Sequence, residues 1–462
     1  LRTAGETVGS TGYSGLAAAA LLSVIVAELM HRHSGWTGPG VVAWVSLGGF
    51  LALEFRATAM TGRMILAAGL GLGAVLIAAD SIHVRDLANA LDSAAFFAVF
   101  VGVLAFLRMA AAGSPTVRAC GRLLADQPHG RRYLALMLGT HLLGNLLNMS
   151  SLALLGSMIG PEAHEQERRR LLLACHRGFA AVPLWSPFAL TIGLVLSLNP
   201  GLSWSRYAPL GLGLAAVLIG MGWLFDRLSR SGSVGAGIAP STAHDTSAVP
   251  EDLVRLLALM ALLAAMVFLF ARMTDARLIL SVLTCVPVFG LAWTTVQTCE
   301  SGRVAGTIAR GLHRDLPALR NEVATLAGAA FLGALAAAAI DAGQMRALMG
   351  DLGVDPAMMI ALVPWMVAAG SMIGISPIVG IMVMGQVFAT MPQPHPPDIA
   401  VAAALTSAWA CAVSVSPFTA VVLIVARLGG SSPWTVGLRW NGMFTLAMLI
   451  VFSIIVYGLA RL

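Results

Sequence analysis

The sequence contains no lysine: all 28 of its basic residues are arginine. Charge of either sign is scarce, with Asp, Glu and Arg making up 11% of 462 residues, whereas a soluble domain carries about 25%. So little polar surface cannot cover a water-soluble particle. A soluble enzyme, a disordered scaffold and a nucleic-acid-binding module are all disfavoured. The five cysteines (Cys120, Cys175, Cys285, Cys299, Cys411) are scattered. None falls in a CxxC or Cys/His spacing, so neither a disulfide framework nor a metal centre is expected. The hydrolase signatures HExxH and GxSxG are missing, as are paired aspartates inside apolar stretches. A membrane-embedded enzyme therefore has no visible machinery.

Apolar residues fill the space that charge leaves. They make up 58% of the chain, the mean hydropathy is +0.84, and the class is an all-α polytopic membrane protein. Residues 1–12 are polar, and 16–30 read as a first span, not as a cleavable leader. Spanning-length apolar stretches lie near 13–30, 38–55, 64–80, 93–112, 207–226, 252–271, 277–297, 320–340 and 437–461. Two more, 168–199 and 398–428, carry a Ser-Pro in the middle. Proline removes a backbone donor, so each is predicted to be a broken helix. That makes about 11 crossings. The segments about 133–160 and 363–390 contain a central glycine, are too short to cross twice, and read as re-entrant hairpins.

The arginines test this map. With the N-terminus cytoplasmic, 20 arginines fall on cytoplasmic ends and loops and 7 on the other side, with Arg177 left inside a span. The positive-inside rule then predicts a multi-pass inner-membrane protein with a periplasmic C-terminus.

A duplication at an offset of 230 residues carries most information. Ser186-Pro187-Phe188 recurs as Ser416-Pro417-Phe418, and Gly144 matches Gly374. Span 93–112 matches 323–342, and the arginine-bearing segment 113–130 matches 343–360. Five crossings separate the two serines, and an odd number inverts the copies. The chain is therefore predicted to hold a first inverted repeat over 1–227, a cytoplasmic linker over 228–251 and a second repeat over 252–462. Inverted repeats with discontinuous helices mark secondary transporters, with the site near the midplane at the repeat interface.

A hairpin followed by a broken helix, used twice with inverted topology, resembles the ion transporter superfamily. That group includes the divalent-anion/sodium symporters and the large membrane subunits of tripartite periplasmic-binding-protein-dependent transporters. The run Gly374-Ile-Ser-Pro-Ile-Val-Gly380 is similar to the small-polar, proline-containing hairpin tips of those members. The divalent-anion symporters carry a Ser-Asn-Thr triplet at each tip. Here the tips read Gly144-Asn145-Leu-Leu-Asn148-Met-Ser150-Ser151 and Gly374-Ile375-Ser376-Pro377. The resemblance implies a homodimer working by an elevator mechanism.

Four helix ends aimed at one place can hold an anion with few side-chain charges. The expected substrate contacts are Asn145, Asn148, Ser150, Ser186, Ser376, Ser414 and Ser416; each alternatively caps a broken helix. Arg177 is expected either to bind a carboxylate or to snorkel toward the interface. Ion coupling is expected to involve backbone at Gly144 and Gly374, together with Thr406, His176 and His141. Either histidine is otherwise a satisfied packing residue. No cofactor is expected beyond Na+ or H+ as coupling ion. The predicted function is ion-coupled secondary transport of a small organic anion. The alternatives are a tripartite-system subunit, a channel or a lipid flippase. Lipid is the partner expected along the spans, and no nucleic acid is expected.

Overall fold

A computed structural model describes residues 14–159, 164–231, 251–299, 302–339, 355–390 and 396–462. Among these residues the fold is all-α, with 19 helices and no strand. Nine helices are long and apolar enough to cross a bilayer, as expected for an all-α polytopic membrane protein. The chain divides into two compact units, each drawing on both halves of the sequence. One comprises Leu1–Met109 with Pro287–Leu335, the other Ala110–Val286 with Ala336–Leu462.

The first unit contains α1 (Ser14–Ser34), α2 (Thr37–Glu54), α3 (Met60–Ala78), most of α4 (Val84–Gly113) and, after the end of α12 (Leu278–Thr298), α13 (Val304–Ala318) and α14 (Arg320–Ala338). The expected span 93–112 is one end of the 30-residue α4, whose apolar window is 83% buried. Gly62, Gly69 and Gly73 lie on one face of α3, where a Cβ would come within 3.2 Å of Ala324, Phe331 and Leu335 on α14. Small residues let these helices approach closely, the packing that apolar solvent favours. Val304–Ala318 forms a helix where the sequence suggested an arginine-bearing loop. Its registry escapes an apolarity scan because only Leu316 and Pro317 are buried.

Among the described residues, all four of the expected interruptions lie in the second unit. Its first half runs through α5 (Pro115–Ala125), α6 (His129–Leu147), α7 (Met149–Ser157), α8 (Glu165–Ala180), α9 (Leu190–Leu198) and α10 (Trp204–Ser231). After α11 (Glu251–Thr274), its second half has α15 (Pro356–Met372), α16 (Pro377–Thr390), α17 (Asp398–Val415), α18 (Ala420–Gly429), a π turn over Thr435–Trp440 and α19 (Gly442–Ala460). Both expected hairpins and both broken helices are thus helix–break–helix units in the same order. The segment 343–360, expected to copy 113–130, lies mostly outside the described residues, as does 232–250 of the expected linker. Residues 228–231 of that linker belong to α10.

Candidate functional site

Four interruptions of the helical pattern carry the candidate residues. The first hairpin turns at Asn148, where φ is 52° and ψ is −135°. Asparagine is among the residues that tolerate positive φ best. Gly144, which the sequence placed at the tip, is inside α6, and its role is steric: a Cβ there would sit 2.7 Å from Val182 Cγ2. The second hairpin does turn at its glycine, Gly374, with φ of +93° and open space around it. Its tip residues Ile373 and Ile375 are exposed. The two hairpin glycines therefore do different jobs, and the tips are out of register with the 230-residue offset by four.

The Ser-Pro-Phe triplets behave alike. The Phe188 amide donates to Ser186 Oγ, and the Phe418 amide donates to Ser416 Oγ, both at 3.3 Å. Ser186 and Ser416 are fully buried, and each shapes its turn. Ser416 Oγ also donates to the Ser371 carbonyl at 2.6 Å, fastening the second hairpin to the second break. The first hairpin is fastened at the equivalent place by Trp185 Nε1, which donates to His141 Nε2 at 3.1 Å. His141 Nε2 is therefore an acceptor, and its proton is on Nδ1. Nδ1 is buried with no hydrogen-bond partner. One turn along, Asn145 Nδ2 donates to the His141 carbonyl at 2.8 Å, while Oδ1 is buried with no partner. Leaving such a group unsatisfied costs about 1–3 kcal/mol. Asn148, Ser150 and Ser376 are half-buried at the two tips.

The remaining candidates have internal partners. Ser414 Oγ donates to the Ala410 carbonyl at 2.7 Å. Thr406 Oγ1 lies 2.6 Å from the Tyr207 hydroxyl and bonds the carbonyls of Ala402 and Ala403. His176 Nε2 is 3.0 Å from the Val413 carbonyl, which makes it the donor; Nδ1 is buried and bare. Arg177 does not snorkel. It is 5% exposed, donates through Nε to Asn441 Oδ1 and through Nη1 to the Tyr133 hydroxyl, both at 3.0 Å, and lies 4.3 Å over the Phe444 ring. All of these partners are neutral. The charge is compensated by helix ends: Arg177 occupies the last turn of α8, and through Asn441 it reaches the carbonyl end of α17. Each such end carries partial negative charge worth up to about 2 kcal/mol to a partly buried cation.

The preceding arginines lock the same elements. Arg168 donates to the Leu428 carbonyl at 2.6 Å, at the end of α18. Arg169 stacks over Trp440 at 5.3 Å. Arg170 pairs with Asp226 and Glu167.

The fold has counterparts among solved structures. The YdaH transporter of Alcanivorax borkumensis matches with a TM-score of 0.52 at 14% identity, over 78% of this chain and 84% of that one. MtrF of Neisseria gonorrhoeae, described among a class of antimetabolite efflux pumps, matches with a TM-score of 0.53 at 14% identity, over 88% of this chain and 97% of that one. The likeness establishes a shared fold. No protein-family model and no curated protein sequence matches the chain.

Sequence reasoning missed Tyr133, Trp185, Tyr207 and Asn441, which hold the broken helices together. A proline at 417 frees the carbonyl four residues earlier, Val413, but that signal points to His176, which serves it. For the neighbouring Ser414 carbonyl, served by Asn441, the sequence offered only its place beside the break.

Proposed function

We propose that the protein is a secondary transporter of a small organic anion, coupled to a Na+ or H+ gradient. The observation that carries this reading is that all four helix interruptions fall in one compact unit, with the buried, unpartnered Asn145 Oδ1 on the first hairpin. Helical backbone is interrupted at membrane depth only where protein or a water-filled cavity surrounds it. The N-termini of α7, α9, α16 and α18 begin at these breaks, each with free amides suited to an anion. Asn145, Asn148, Ser150 and Ser376 are the proposed contacts. Ser186 and Ser416 shape the turns that present them. In this reading the unit that holds the breaks is the moving part of an elevator, and the protein works as a homodimer in the inner membrane with a cytoplasmic N-terminus.

The test is a thermal-shift screen in detergent of carboxylates, sulfonates and antimetabolite compounds, with and without sodium, followed by uptake of the hit into proteoliposomes. The last compound class enters because MtrF is described as an antimetabolite efflux pump. A hit whose shift and uptake are lost in Asn145→Ala supports the assignment. Undiminished uptake by that variant would remove Asn145 from the site, and no stabilising compound in the screen would count against an organic anion.

A further inference from the structure

The second broken helix ends in three carbonyls that its own backbone cannot satisfy. Val413 would be served by the amide of residue 417, which is proline and has none. Ser414 would be served by Phe418, whose amide is turned to Ser416 Oγ at 3.3 Å. Val415 would be served by Thr419, whose amide goes to the Ser416 carbonyl at 3.3 Å. All three carbonyls end α17, and the segment around them is buried.

The missing donors come from elsewhere in the chain. His176 Nε2 reaches the Val413 carbonyl at 3.0 Å. Asn441 Nδ2 reaches the Ser414 carbonyl, also at 3.0 Å. The amide of Asn441 can take only one orientation, because Arg177 Nε donates to its oxygen and a guanidinium cannot accept. The Val415 carbonyl faces the bare Cα of Gly437, where a Cβ would lie 2.1 Å away. Two consecutive residues of the first broken helix thus serve two consecutive carbonyls of the second, one directly and one through an oriented amide. The reverse arrangement does not exist: at the same offset stand Thr406, which pairs with Tyr207, and Ser407, whose buried Oγ has no partner.

We infer that His176 and Arg177 are positioning residues of the second break. They hold it in its unwound geometry and are not themselves ligand contacts. One acceptor position on each of the Val413 and Ser414 carbonyls is thereby filled. This assignment stands without the transport reading, and its readouts are structural.

The decisive experiment restores the donor that proline removes. In Pro417→Ala, residue 417 regains an amide able to serve Val413, and the histidine bond becomes redundant. His176→Leu is expected to lower the melting temperature of the purified protein by about 3 °C or more. The same substitution in the Pro417→Ala background is expected to lower it by less than about 1 °C. Equal drops in both backgrounds would overturn the inference, because a packing role for the imidazole is indifferent to residue 417. Should His176→Leu fail to fold, Asn441→Asp keeps an acceptor for Arg177 and removes the donor to Ser414. Amide exchange is then expected to accelerate at least tenfold across residues 414–420 and to stay unchanged across 184–190. Unchanged exchange at both breaks, or equal acceleration at both, overturns it.

Discussion

In the first broken helix the chain leaves α-helical geometry after Ala180 and passes through a 3-10 turn at Val182–Leu184 before α9 begins at Leu190. In the second, α17 continues to Val415 and α18 begins at Ala420. The same Ser-Pro-Phe triplet therefore sits at the end of a long interruption in one copy and inside a short one in the other. The difference traces to Pro183, which removes a second amide four residues before Pro187; the equivalent residue at the second break is Val413. Closure differs as well. At the first break a bare glycine approaches the Leu184 carbonyl, where a Cβ on Gly211 would come to 2.4 Å, and Trp204 Nε1 donates to the Trp185 carbonyl at 2.8 Å. The second break uses a glycine in the same way, then adds a histidine and an arginine-oriented asparagine. One break is closed by an indole donor, the other by a histidine and an asparagine that a buried cation orients.

The comparison is most sharply tested by removing the acceptor of that cation. Asn441→Leu leaves the Arg177 guanidinium buried and short of a partner, and should cost about 2–3 kcal/mol or more, the upper range for a hydrogen bond to a charged group. Denaturation in detergent measures it, and a loss below about 1 kcal/mol would show that Arg177 does not depend on Asn441. Gly437→Ala and Gly211→Ala come next. Each Cβ would meet a backbone carbonyl that has no rotamer to yield, so about 1–3 kcal/mol or more is expected at both breaks alike. Recovery of monodisperse protein by size exclusion reports this, and tolerance at either site would mean that its crossing is looser than the structure shows. Trp204→Phe removes one hydrogen bond while keeping the ring against Phe268, 5.3 Å away between centroids. About 1 kcal/mol is expected, well short of the Asn441 effect. Equality of the two would erase the asymmetry between the breaks. Smallest in stability is Asn145→Leu, which replaces an unsatisfied amide oxygen with hydrocarbon and should change stability by less than about 1 kcal/mol. The same variant should lose uptake of any substrate that the screen identifies.

How much of this was readable from the sequence depends on the kind of contact. The helix interruptions at Ser186 and Ser416 follow from proline's missing amide, a local property that survives any tertiary context. Spans such as Trp204–Ser231 and Glu251–Thr274 follow from apolarity. Gly144 misled because glycine has two uses, turning a chain and admitting a neighbour, and only the neighbour, Val182, distinguishes them. Asn148 carried a weak turn signal, overshadowed by a glycine four residues earlier. Arg177 was legible as a residue out of place in a span, yet its partners were not. Tyr133 and Asn441 stand 44 and 264 residues away, and no local pattern links them to an arginine. The alternation of apolar residues likewise gave no warning that Arg168 would cap α18.

The distance between Arg177 and Asn441 also has a consequence for synthesis. At about 5–20 residues per second, a nascent chain carries Arg177 for roughly 13–53 s before the asparagine that orients against it has been made. Over that interval the membrane-insertion machinery receives a half-protein whose charged span is unfinished, with Tyr133 already made and Asn441 not. A chain stalled or cut before residue 441 would keep an incompletely paired guanidinium, and a buried charge without its partners is strongly destabilising.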